Sequence, residues 1–329
     1  MFFLSKRHAG ASLVRWRGRL AIRWILAASV ATLGAVPATA FGCACGCGVF
    51  DVGTASMFPT HSGVLAFVEY DGIDQDRNWS GTSRAPAANN DDKHIKNDAL
   101  NVGVQYQINR TWGVAIELPY LHRSVTTSGI DGAGMDIVGT SAHGAIGDIR
   151  IKGIYTGFSP DMSTGITFGI KLANGDHSDP RFEADTQIGS GSTDVLLGAY
   201  HLGNLTADKL WRYFLHAQWD EPVSHASGYQ AGRELTGNVG AYYEGWMLSP
   251  TVKIAPVLQL SASYRDHDRG DLAMPDDTGY SRLLVTPGIE VDAGKVTAYL
   301  DVGLPLYTNV RGNQLISSQF WRFNLSYRF

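Results

Sequence analysis

The sequence predicts an all-β protein, a transmembrane antiparallel β-barrel of about twelve strands behind a cleaved signal peptide. Three observations predict it. From residue 63 onward, apolar and polar residues alternate with a period of two in segment after segment. The connections between these segments are alternately long and short. The chain closes on Trp321, Phe323, Leu325, Tyr327 and Phe329, interleaved with Arg322, Asn324, Ser326 and Arg328.

Composition narrows the alternatives. Of 329 residues, 44% are hydrophobic and 18% charged, so the chain has ample apolar material and disorder is disfavoured. Mean hydropathy is near zero, and after residue 40 no apolar run approaches the ~20 residues of a spanning helix. A polytopic helical membrane protein is therefore excluded. The 38 glycines exceed the usual share of about 7%, and the 14 tyrosines and 8 tryptophans are also many. Both surpluses suit a protein of strands and turns.

Residues 1–40 read as a secretory signal peptide. Their six charges are all basic: Lys6, Arg7, Arg15, Arg17, Arg19 and Arg23. An apolar stretch from Trp24 to Val36 follows, too short to span a bilayer, and Ala38-Thr39-Ala40 ends it with the small-x-small pattern of a cleavage site. Taking those six from the 27 basic side chains leaves 21 against 31 acidic ones, a net charge of −10. Phosphate contacts need clustered Lys and Arg, so an exported chain with this balance is not expected to bind nucleic acid.

Residues 41–62 form an N-terminal arm or plug carrying the only cysteines, Cys43, Cys45 and Cys47. In an extended chain this spacing puts all three thiols on one side. Thiolates select soft metals such as copper or zinc, while an oxidising periplasm equally suits a disulfide with one thiol left over. The arm either inserts into the barrel or reaches a periplasmic partner.

Residues 63–329 supply the barrel. The alternating segments are 63–71, 97–109, 111–123, 144–157, 162–173, 192–202, 210–220, 233–244, 250–266, 279–292, 295–307 and 315–329. Long polar connections cover 72–96, 124–143, 174–191, 221–232, 267–278 and 308–314. An even strand number, with long loops at one end and short turns at the other, is the plan of an outer-membrane barrel. Stripes such as Val296, Ala298, Leu300, Val302, Leu304 and Leu306 face lipid, with Trp and Tyr at stripe ends where a ring can be apolar on one side and wet on the other. The opposite face carries the candidate lumen-lining residues Glu117, Asp148, Arg150, Lys152, Lys171, Asp194, Arg212, Asp220, Glu234, Lys253, Arg282, Glu290, Asp301 and Arg322. These charges either brace the wall as cross-strand pairs or filter solutes. Inward Phe214, Tyr242, Tyr299 and Phe320 offer a surface for stacking or fill space.

The closing strand, with Trp321, Phe323, Leu325, Tyr327 and terminal Phe329, resembles the insertion signal of Gram-negative outer-membrane proteins. It implies outer-membrane lipid and the barrel-assembly machinery as partners. Two further stretches carry a family likeness. Gly147-Asp148-Ile149-Arg150-Ile151-Lys152-Gly153-Ile154-Tyr155 and Gly189-Ser190-Gly191-Ser192-Thr193-Asp194-Val195-Leu196-Leu197-Gly198, with Trp112-Gly113 and Leu118-Pro119-Tyr120, resemble the outer-membrane barrels grouped as the MetA-pathway of phenol degradation. That resemblance implies a Gram-negative outer-membrane channel for passive passage of small, often aromatic or hydrophobic, solutes.

The rival reading is a structural or interaction barrel whose cysteine arm binds a soft metal or a periplasmic redox partner. An enzyme is not expected. His61-Ser62 and His177-Ser178 are adjacent, so in extended chain their side chains point to opposite faces. The acidic run Asp266 to Asp271, with Asp276 and Asp277, fits no EF-hand spacing and reads as a solvated loop.

Overall fold

Lipid offers no partner for an unpaired backbone N–H or C=O, so a sheet that spans a membrane has to close on itself. This sheet does. The computed structural model describes residues 57–130, 135–226 and 228–329. The expected signal peptide, Cys43, Cys45 and Cys47 lie outside the described residues.

The strands are β1 (Gly63–Gly81), β2 (Ser83–Arg84), β3 (Asp92–Gln107), β4 (Trp112–Ile130), β5 (Asp136–Ile146), β6 (Arg150–Tyr155), β7 (Thr164–Lys171), β8 (Asp194–Asn204), β9 (Trp211–Pro222), β10 (Glu234–Tyr243), β11 (Trp246–Ser249), β12 (Val252–Arg265), β13 (Tyr280–Ala293) and β14 (Val296–Arg328). Eleven of them close an antiparallel ring in the order β1, β3, β4, β6, β7, β8, β9, β10, β12, β13, β14 and back to β1. The short β2, β5 and β11 add to β1, β4 and β12.

The 33-residue β14 is more than one pass. From Val296 to Val310 it pairs with β13, and from Val310 to Arg328 it pairs with β1. The amide of Arg328 donates to the carbonyl of Lys295 at 2.8 Å, so the strand doubles back on itself. Gly312 sits near the reversal at φ +66°, where a Cβ would also run into Asp277, and only glycine fits both conditions. Ten strands thus cross the wall once and β14 twice. The loop expected at 308–314 is a correction: that segment is strand on both sides of a tight turn.

Two other expected loops are shorter than the sequence suggests. β1 continues to Gly81 and β3 begins at Asp92, taking up most of 72–96. β4 runs to Ile130, and β5 covers Asp136–Ile146 within the expected loop 124–143. The outward face of these extensions is largely polar, as where Thr126 Oγ1 meets Thr140 Oγ1 at 2.8 Å, and the inward face mixes Ile73, Ile95 and Val125 with Gln75 and Asn78, so the alternation that marks a half-apolar strand disappears although the ladder continues. Conversely, the expected strand 144–157 is interrupted at 147–149, where Gly147 N still bonds Pro119 O before β6 resumes on the same neighbour.

The alternation sorts side chains by face. Leu100, Val102, Val104 and Tyr106 on β3 are exposed, as are Trp112, Val114, Ile116, Leu118 and Tyr120 on β4. Trp112 to Tyr120 is nine residues, within the ~9–11 that a tilted strand needs to span a bilayer. Such a continuous exposed apolar surface is foreign to a water-soluble monomer. Aromatic residues cluster at the short-turn rim: Trp112 packs edge-on to Tyr155 at 4.8 Å, and Trp211 against Tyr243 at 5.0 Å. On the closing pass, Trp321, Phe323, Leu325 and Tyr327 are exposed while Arg322, Asn324 and Ser326 are buried.

The seam between first and last strands carries a buried ion pair. Arg322 and Asp71 are register partners, and Arg322 Nε lies 3.0 Å from Asp71 Oδ1. Beside them Asn324 Nδ2 donates to Glu69 Oε2 at 3.1 Å, and Gln75 Nε2 donates to the Leu315 carbonyl at 2.9 Å. Removing one member of a buried pair strands the other charge, at a cost of about 3–5 kcal/mol. Arg322→Ala is therefore expected to lower the urea midpoint of the refolded barrel substantially. Arg311→Ala, which removes an exposed pair with Asp276, is expected to leave the midpoint nearly unchanged. Equal midpoints for the two variants would show that the seam does not depend on Arg322.

Candidate functional site: a stoppered chamber

The barrel is closed near each end by a different kind of contact, and a polar chamber of about 230 Å³ lies inside. At the short-turn end the stopper is aromatic. The residues just before β1 turn inward. Phe58 stacks on Tyr200 with ring centroids 4.6 Å apart, and faces Phe214 at 6.3 Å and His216 at 5.7 Å. Ala115, Ile154, Leu202, Tyr242, Ala255, Val257 and Tyr299 complete this buried cluster. Phe214, Tyr242 and Tyr299, expected to point inward, are among its members, and Phe320 packs in a second cluster with Ile73 and Leu284.

At the long-loop end the stopper is polar. The connection from β7 to β8, residues 172–193, folds into the bore. Arg123 Nη1 donates to the carbonyls of Thr186 at 2.5 Å and Gln187 at 2.8 Å, and Phe182 packs on Ile95, Val125 and Leu315. The two stretches that suggested a family meet here. Asp148 accepts from Ser190 N at 2.8 Å, Ser190 Oγ at 2.6 Å and Gly175 N at 2.8 Å. Ser192 Oγ donates to Asp194 at 2.6 Å, and Lys171 pairs with Asp194 at 2.5 Å. Gly175 and Gly189 touch so closely that a Cβ on Gly189 would overlap the Gly175 backbone. A neighbouring loop is pinned through Asp268, which accepts from Tyr229 Oη, Gly232 N and Arg265 Nη2, each at 2.8 Å.

The residues expected on the inner face are all buried or half-buried. Glu117, Asp148, Arg150, Lys171, Asp194, Asp220 and Glu234 line the chamber. Lys152 is paired with Glu117 at 3.1 Å beside it, and Arg150 with Asp220 at 3.7 Å. Arg212 and Lys253 share Glu244 instead, at 3.7 and 2.8 Å, toward the short-turn end. Asp301 and Arg322 line a smaller cavity of about 20 Å³ with Asp71. Arg282 lies over the Tyr280 ring at 4.1 Å, and Glu290 is buried on β13. Much of the inner charge is thus engaged in bracing pairs.

Sequence reasoning missed several lining groups. Glu69 and Asp71 share the inward parity of β1, and Arg123 continues the Glu117 face of β4, so alternation alone could have found them. Asp185 could not be found that way, because it sits in the inserted loop rather than on a strand. Among the described residues, no group of three or more His, Cys, Asp or Glu is arranged to hold a metal ion.

Asp185 gives the inserted loop a pH dependence of fixed sign. Desolvation, with Glu183, Asp268 and Asp92 nearby, pushes its carboxyl up to about 7. The inserted state then binds more protons than a released loop. Its hold is full below the ordinary carboxylate range, near 4, and declines as pH rises toward 7. Asp176 and Asp179, held low by His143 and Arg181, titrate below that window. Cleavage within 172–193 by added protease is expected to be faster at pH 8 than at pH 5. Asp185→Asn is expected to flatten most of that difference, and an unchanged pH profile in this variant would rule out Asp185 as its source.

No protein-family description and no curated protein matches the chain. Solved structures do share its fold. The COG4313 outer membrane channel from Pseudomonas putida F1 superposes with a TM-score of 0.60 at 13% identity, over 86% of this chain and 98% of that one. The beta domain of the Bordetella autotransporter Brka superposes with a TM-score of 0.50 at 12% identity, over 82% of this chain and 100% of that one. At such identities the likeness concerns fold alone, and the chain has the architecture of outer-membrane β-barrels.

Proposed function

We propose that this protein is a channel in the outer membrane of a Gram-negative bacterium, passing small molecules down their gradients. The observation that carries this reading is the chamber itself: a polar space inside a barrel that is stoppered at both ends rather than filled through its length. Within the chamber lining, Thr236 Oγ1 has no protein partner among the described residues. Buried polar groups are almost always satisfied, so this hydroxyl suits a space that holds water or a polar solute. The superposition on the COG4313 outer membrane channel from Pseudomonas putida F1 supports the same reading.

The chamber is smaller than the ~300 Å³ lower bound of pockets for drug-sized ligands, which limits the solute to something less bulky. The aromatic cluster around Phe58 gives ring-bearing solutes a surface to stack on near the short-turn end. This agrees with the phenol-pathway family likeness of the Asp148 and Ser190 stretches and with passage of aromatic or hydrophobic compounds. The chain is read as exported by the Sec route and inserted by the barrel-assembly machinery, with Trp321 to Phe329 as the recognised end.

Opening requires the Phe58 stopper to leave its cluster. Loss of the stack contributes about 1 kcal/mol and loss of ring burial about 2 kcal/mol more. Phe58→Ala is therefore expected to raise the open fraction in planar bilayers by at least about tenfold over wild type, since 1.4 kcal/mol corresponds to a factor of ten. A folded barrel that conducts in neither form would contradict the channel reading.

A further inference from the structure

We infer that the chamber selects cationic solutes, and that Glu234 with Thr236 forms the subsite that receives an organic ammonium group. This rests on the channel reading above and names the class of solute. The lining carries seven carboxylates against four cationic groups, with Lys152 beside Glu117 and Arg322 beside Glu69 just outside it. All four cations are already engaged by the protein. Arg150 faces Asp220, Lys171 faces Asp194, and Arg265 faces Asp268. Arg123 spends its guanidinium on Asn97 and on the inserted loop's carbonyls. An anion entering the chamber would have to break one of these contacts while facing an excess of carboxylates. A cation would meet that excess directly. A low-dielectric wall concentrates such a field, raising counter-ion occupancy by about tenfold or more at low salt.

Glu234 is the carboxylate best placed to be used. Its hydrogen-bond partner is the neutral Tyr280 hydroxyl, which donates to Oε1 at 2.8 Å; its register neighbour on β12, Arg265, is engaged by Asp268, and among the described residues no cation lies within ion-pair distance of Glu234. Two residues along β10, on the same face of the strand, Thr236 also lines the chamber. Thr236 is only 9% exposed, yet its Oγ1 has no hydrogen-bond partner among the described residues. A desolvated hydroxyl left unmatched costs about 1–3 kcal/mol, and rotation of Thr236 toward a hydrogen-bonding guest in the chamber would relieve that cost. An ammonium has three N–H donors and no acceptor, matching a carboxylate beside a hydroxyl oxygen.

The test is a reversal-potential measurement in planar bilayers under a potassium chloride gradient, with n-butylammonium chloride as competing probe. Wild type and Phe58→Ala would both be used, so that closure by the stopper does not hide the property. The expected result is a potassium-over-chloride permeability ratio of about ten at low ionic strength, declining as salt screens the chamber. Butylammonium is expected to reduce the potassium current. Glu234→Gln, which keeps an acceptor for Tyr280, should lower the ratio severalfold and weaken the block, and Thr236→Val should weaken the block. Asp276→Asn, on an exposed loop, should change neither. A ratio at or below one, or a ratio and block unchanged in both Glu234→Gln and Thr236→Val, would overturn the inference while leaving the channel reading standing. Absence of current in both the wild type and Phe58→Ala, with the barrels shown to be folded by their heat-modifiable gel mobility, would remove the channel reading itself.

Discussion

Everything in this molecule depends on one constraint, that each backbone N–H and C=O inside the bilayer must find a partner within the sheet. The constraint forces a ring, and a ring forces the first strand to meet the last. The seam between β1 and β14 is where that obligation is met over the longest sequence distance. Its register is fixed by the pairing of Asp71 with Arg322 and of Glu69 with Asn324. A one-residue slip would turn Arg322 toward lipid and Trp321 inward, and period-two alternation makes that error costly along the whole strand.

Closure explains the interior as well. Once one face of every strand is given to lipid, the other face inherits the charged residues. Most of them brace one another: Lys152 with Glu117, Lys171 with Asp194, Lys253 with Glu244. The same interior is then stoppered by two unlike devices. Near the short turns an aromatic stack holds Phe58 against Tyr200. Near the long loops hydrogen bonds from Arg123 and to Asp148 hold the segment 172–193, whose half-buried Asp185 responds to pH. One end of the interior is thus set by packing and the other by polar contacts.

The fold was legible in the sequence wherever the two faces of a strand differ. Leu100 to Ile108 and Val296 to Leu306 show why: lipid and lumen impose opposite demands on neighbouring residues. Legibility stops above the apolar band, where Gln75 to Gly81 and Thr126 to Gly129 remain in strands but carry polar residues on both faces, with Gln75 and Asn78 buried on the inner one. The inward charges followed from parity, and so would Glu69, Asp71 and Arg123. Asp185 and Phe58 did not, because their places come from a loop and an arm folding back into the ring. The convergence of Asp148 with Ser190 was foreshadowed only as two short motifs. That one ties down the loop carrying the other is a tertiary fact.

The central claim is that alternate residues of each wall strand face lipid and lumen. Site-directed spin labels placed one at a time from Thr297 to Gly303, with the native cysteines replaced and the protein in lipid vesicles, test it most directly. Accessibility to oxygen, which partitions into lipid, should peak at Ala298, Leu300 and Val302 and fall at Thr297, Tyr299, Asp301 and Gly303. A profile without period two, or one with its peaks on the opposite set, would contradict the account.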